Sequence, residues 1–212
     1  MPNANLVRWA SAQRPDACKV HVVLQDTLYP RCLMSRTPLI RWIVMLPVGV
    51  AALFLLACSP SFNWRDVRPE NTGLSLLLPC KPDKAEKVVP LGGQPTTLAM
   101  LGCDAGGATF AVAVADLGDQ ARVADVLRQW QSLTLANMKA GAPQVMPLKL
   151  PGAGAGPAPV LVKAQGRRAD GTAVNGQAAY FAQGSRVFQV VMYTGKPLPE
   201  QAETFFSSLK LE

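Results

Sequence analysis

The run from Trp42 to Ala57, closed by Cys58, constrains this chain more than any other feature. It holds 16 residues without a charge, and Arg36 and Arg41 stand just ahead of it. A positive flank, an apolar core and a small residue at its end form the layout of an export signal. A helix that spans a bilayer needs about 20 residues. Pro47 and Gly49 weaken a long helix further. An uncleaved membrane anchor is the alternative reading of this run. Removing residues 1–57 from the 212 leaves 155, which fits one domain with a real core. Met1 to Leu33 carries Cys18, His21 and Cys32 without a periodic pattern. Signals begin close to their charged region, so Met34-Ser35-Arg36 makes a natural start; a long leader is the alternative.

Leu55-Leu56-Ala57-Cys58 resembles the lipobox of bacterial lipoproteins: Leu, a variable residue, a small residue, Cys. The resemblance implies a thioether lipid on Cys58, cleavage before it and acylation of the new amino group. Two or more acyl chains hold a protein stably at a membrane, where one does so only marginally. Asp after the cysteine usually means inner-membrane retention in Gram-negative lipoproteins. This chain has Ser59, which implies the periplasmic face of the outer membrane. Residues 58–70, with Pro60 and Pro69, then read as a lipidated tether. Phe62 and Trp64 interrupt the tether. They are expected to pack on the domain, the alternative being the membrane interface.

The leader takes six basic and two acidic residues with it, so the net charge falls from +7 to +3. The remaining charge gives little reason to expect nucleic acid as a partner. With Cys58 lipidated, Cys80 and Cys103 are left as an even pair in an oxidising compartment, and a disulfide is predicted. Two cysteines without a histidine are too few for a structural zinc site, so neither metal nor cofactor is expected.

Residues 71–212 read as a single α+β domain. Short strands are predicted at Thr72 to Leu78, Lys84 to Leu91 (an edge), Thr96 to Cys103 and Thr109 to Ala115. Gly92-Gly93 and Gly106-Gly107 supply turns, and the last two of these strands form a hairpin. Asp119 to Lys139 is the clearest helix, with Val123, Val126, Leu127, Trp130 and Leu133 on one apolar face. Asp119 can cap its start, and Lys139, Gly141 and Pro143 stop it. A strand is expected at Gln144 to Leu150. Pro151 to Pro159 is a Gly/Pro-rich loop whose prolines remove the amides that a phosphate cradle needs. Val160 to Arg167, Ala173 to Gln183 and Arg186 to Thr194 form a meander. The last of them is apolar on both faces and so is placed at the centre of the sheet. Pro199 opens a final helix that lays Ala202, Phe205, Phe206 and Leu209 on that sheet. Hairpin connections argue for mainly antiparallel pairing.

The early strand ending in Pro79, with Pro82 three residues on, is one of two cues to a known fold. The other is the closing pattern Tyr180-Phe181, Val187 to Tyr193 and Phe205-Phe206-Ser207-Ser208-Leu209. From Thr72 to Leu211 the chain resembles the PsbP-like α/β sandwich superfamily, which includes small envelope lipoproteins. That superfamily shares no catalytic motif, so the resemblance carries no active site, and Cys80 and Cys103 lie outside its general pattern.

His21 is the only histidine, and it leaves with the leader, which removes Ser-His-Asp and Cys-His chemistry. Asp104, Asp116, Asp119 and Asp125 cluster in sequence. As acid and base they would need to converge; as turn and helix caps they would not. Arg167-Arg168 beside Asp170 reads as the solvated end of a hairpin, with an anion site as the alternative. The expectation is therefore a lipid-anchored, non-catalytic envelope protein. It meets the membrane through Cys58 and an envelope partner through its domain. A small-ligand binder is the alternative, and a carboxylate or arginine enzyme is a third reading.

Overall fold

A stripe of apolar residues at three- and four-residue spacing stabilises a helix when another apolar surface covers it, and a sheet does so here. The computed structural model describes residues 61–212. Met34, Cys58 and the rest of the leader lie outside the described residues. A 3₁₀ turn, Gln120–Arg122, leads into α1, Val123–Asn137. The Ala121 N–H donates to Asp119 Oδ1 at 2.9 Å, so Asp119 caps the start as expected.

Seven antiparallel strands form the main sheet: β3 Asp83–Leu91, β4 Gln94–Ala105, β5 Ala108–Asp116, β6 Gln144–Pro147, β7 Val160–Arg167, β8 Ala173–Gln183 and β9 Arg186–Thr194. Their spatial order is β3-β4-β5-β9-β8-β7-β6, with β9 at the centre. The apolar residues on both faces of β9 predict this place, because only a doubly covered strand can bury both. A small sheet, ordered β1-β2-β10, joins β1 Arg65–Val67, β2 Leu74–Leu78 and β10 Lys210–Leu211. The C-terminal helix α2 spans Pro199–Ser207. The class is α+β, as read from the sequence.

Side chains alternate across a strand, so each face of the main sheet has its own core. One face carries Phe110, Val112, Phe181, Phe188, Val190 and Met192, packed under β2 and α2. The other carries Ala113, Ala115, Ala178 and Val187, packed under α1. Small alanines on this second face leave depth for Trp130, which is 1% exposed. Where the end of α1 crosses β8, a Cβ on Gly176 would lie 2.4 Å from Met138 Cε, so glycine permits the approach. The sheet edges are guarded. Lys84, Glu86, Lys87 and Pro90 stand on β3, while β6 is short and ends in Pro147.

Two expectations need correction. The stretch 58–70 is not tether throughout: Phe62 and Trp64 pack on the domain as expected, and a strand follows them. Phe62 and Trp64 pack against Phe110, with ring centroids 6.5 and 6.1 Å away. The Asn63 N–H donates to Pro79 O at 2.7 Å, and Arg65–Val67 pairs with β2. The driver is aromatic burial, which two isolated rings do not announce as periodicity. The strand expected over Gln144 to Leu150 ends at Pro147, whose missing N–H closes it. Strand β10 was not expected, since two residues show no alternation.

Candidate functional site

On the first face of the main sheet, β2 and α2 cover the middle strands and leave the β6–β8 side open. A groove of about 1070 Å³ results. Its wall is α2 with the residue before it: Leu198, Ala202, Glu203 and Phe206. Its floor comes from β7 and β8. The register pairs Leu161 with Ala179, Lys163 with Gln177 and Gln165 with Asn175. The floor thus passes from apolar to polar along the strands. β7 and β8 are interior strands, so these polar side chains occupy a sheet face that is core elsewhere. Lys163 and Gln177 are half-buried, and no carboxylate among the described residues stands within the 4.0 Å of an ion pair to Lys163.

An ammonium beside three amides can hydrogen-bond a carboxylate or a peptide-like chain. Ser207 also lines the groove, but the described residues hold no histidine to activate it. A second groove, about 560 Å³, lies between residues 67–72 and strands β3–β5. An ion pair spans it, Lys84 Nζ to Glu70 Oε1 at 2.5 Å.

Cys58 lies outside the described residues. Cys80 and Cys103 are bonded, with sulfurs 2.09 Å and Cα atoms 6.0 Å apart, joining the end of β2 to β4. Asp104 sits at one end of the β4–β5 hairpin and accepts a hydrogen bond from Thr109 Oγ1. Asp116 ends β5, about 23 Å away at 3.3 Å per residue. The Gly118 N–H and then Ser185 Oγ donate to Asp116 and hold its carboxyl below the ordinary range, with Arg186 adding less. Asp119 caps the helix, and Asp125 pairs with Arg128. The four carboxylates therefore do not converge.

Arg167, Arg168 and Asp170 form the β7–β8 hairpin end. Arg167 Nη1 donates to Gly171 O at 3.0 Å, and Asp170 accepts from the Thr172 N–H and Oγ1. Beneath α1 lies one buried polar cluster. Gln189 Nε2 donates to Thr134 Oγ1 at 2.8 Å and to Tyr180 Oη at 2.9 Å. Burial pushes the Tyr180 hydroxyl up to about 12. Among the described residues no cluster of three or more His, Cys, Asp or Glu side chains is placed to hold a metal.

The groove floor is what sequence reading missed. Its signal is a same-parity series, Lys163 and Gln165 against Asn175 and Gln177, and it means something only once the strand order is known.

No protein-family model and no curated protein matches the chain. Among solved structures the chain is similar to PA94 from Pseudomonas aeruginosa, described as a protein of unknown function. That alignment shows 16% identity, covers 66% of this chain and 88% of the other, and has a TM-score of 0.35. A likeness at this level carries no argument about function.

Proposed function

We propose that this chain is a lipid-anchored envelope protein with a non-catalytic binding or accessory role, exposed on the periplasmic face of the outer membrane. The observation that carries it is Leu55-Leu56-Ala57-Cys58 closing an export-type run. The Cys80–Cys103 bond supports an oxidising compartment. The architecture, a sheet layered between helix and small sheet, is compatible with the PsbP-like resemblance. The partner meets the groove between α2 and β6–β8, whose Lys163 and amides suit a carboxylate-bearing or extended polypeptide segment. Intact mass spectrometry of membrane-extracted protein tests the anchor. The expected species begins at Cys58 and carries diacylglycerol plus an amide-linked acyl chain. A species that retains residues before Cys58 overturns it.

A second reading, a small-ligand binder, rests on the same groove, whose size is in the range of ligand sites. The groove is broad and open rather than enclosing, which favours a polypeptide. Native mass spectrometry decides between the two. A bound small molecule that departs in Lys163→Glu protein supports the second reading.

A further inference from the structure

Residues 61–212 carry 15 basic and 12 acidic side chains. The excess is concentrated in one place. At one end of the main sheet β7 finishes in Arg167, followed by Arg168; α1 is followed by Lys139; and Lys196 follows β9. Lys139 and Arg167 line a cleft of about 500 Å³ together with Pro197. The nearest acid in sequence is Asp170, whose carboxylate accepts from Thr172 and is attracted more weakly to Arg168. Setting these five aside leaves 11 basic and 11 acidic side chains in the rest of the domain. Among the described residues no carboxylate is within ion-pair distance, 4.0 Å, of any of the four cations. Lys81, Asp83 and Asp104 share this end on its far, β3–β4 side.

The chain enters the domain at this same end. Phe62 sits on Gly106, in the β4–β5 turn. From β5 the cleft lies three strands away, through β9 and β8 to β7, or about 14 Å at 4.8 Å per strand. Cys58 precedes Phe62 by four positions, and four residues reach at most about 14 Å. A membrane-tied Cys58 therefore keeps the entry point close to the bilayer. A basic surface next to anionic headgroups is attracted within a Debye length, about 8 Å at physiological salt.

We propose that this end of the sheet is a membrane-facing surface. Lys139, Arg167, Arg168 and Lys196 rest on anionic phospholipid headgroups, and the strands stand steeply on the bilayer. The groove beside α2 then opens sideways, toward the periplasm. This inference rests on the anchored reading of Cys58.

The test uses the full chain as extracted from membranes, placed in nanodiscs of phosphatidylcholine alone or with phosphatidylglycerol. Amide hydrogen exchange is read peptide by peptide. Peptides covering 139–141, 166–172 and 195–197 are expected to exchange several-fold more slowly with phosphatidylglycerol, and high salt removes the difference. Lys139→Glu with Lys196→Glu abolishes the difference; neither side chain makes a hydrogen bond among the described residues, so the fold is spared. Arg167→Glu with Arg168→Glu does the same. Equal exchange in the two lipids overturns the proposal, and so would protection of the groove in place of this end. An intact mass on the same sample reports the lipid on Cys58. Lipid or an uncleaved leader holds the chain in the disc either way, so failure of the anchor and failure of the surface are read separately.

Discussion

Gln189 occupies the middle of the central strand, where an apolar residue would be the simple choice. Its amide instead donates to Thr134 and Tyr180 under α1, and the described residues leave no buried side-chain polar atom unpaired. Gln189→Leu should leave Tyr180 Oη without its donor, Thr134 keeping its bond to Trp130 O, and cost about 1–3 kcal/mol in urea unfolding. Tyr180 adds a pH dependence. Its folded pKa, about 12, lies above the ordinary value of 10.0. The protonated form is favoured by folding, so the contribution is complete below pH 10 and is lost as pH rises toward 12. Unfolding free energy measured from pH 8 to 11.5 should decline above pH 10, and Tyr180→Phe should flatten the decline. An unchanged slope in Tyr180→Phe would refute that assignment. Gly106 and Gly107 give a matched pair. Both have positive φ, but only at Gly106 would a Cβ strike Phe62, at 2.2 Å. Gly106→Ala should destabilise by about 1–3 kcal/mol more than Gly107→Ala, because the second shares the strain and not the clash.

At the scale of elements, the disulfide fastens the small sheet to the large one. Cys80→Ser with Cys103→Ser should lower stability by about 3 kcal/mol on the chain-entropy account. Amide exchange should then rise first in β1 and β2, and the face under α1 should hold. Faster exchange in α1 before β2 would contradict this division of the core. Elements were legible in the sequence wherever burial is regular. α1 declares itself through Val123, Val126, Leu127 and Trp130, and β9 through apolar residues on both faces. β1 and β10 were not legible. Each is too short for periodicity and exists because β2 offers it an edge. Phe62 and Trp64 pack on the domain as expected, but the strand Arg65–Val67 just after them was hidden by the same limit. The disulfide was legible because the expected leader and lipid take Cys18, Cys32 and Cys58 out of the count and leave Cys80 and Cys103.

At the scale of the whole molecule, the groove and the basic end arise from topology and could not be read along the chain. Lys163 and Gln165 are only two polar residues of β7 until β6 and β8 flank them. The four cations come from three separate segments, and a uniform net charge of +3 concealed their assembly. If the groove takes the proposed envelope partner, Lys163→Glu should weaken its capture, measured by crosslinking in intact envelopes, with thermal unfolding nearly unchanged. Undiminished crosslinking would place the partner elsewhere.

Strand β2 draws its neighbours from distant parts of the sequence. β1 comes just before it, but its other side is closed by β10 and by Ser208, whose Oγ accepts from the Leu77 N–H across 131 positions. Closing a loop that long costs chain entropy before any contact rewards it, so the small sheet is expected to lock last, which pulsed amide exchange during refolding would check. On the proposed export route, a polypeptide emerging amino end first waits, with Leu74, Leu76 and Leu78 uncovered, until Lys210 and Leu211 arrive. If the chain is exported and acylated as proposed, that interval offers a chaperone its client, and acylation precedes completed folding.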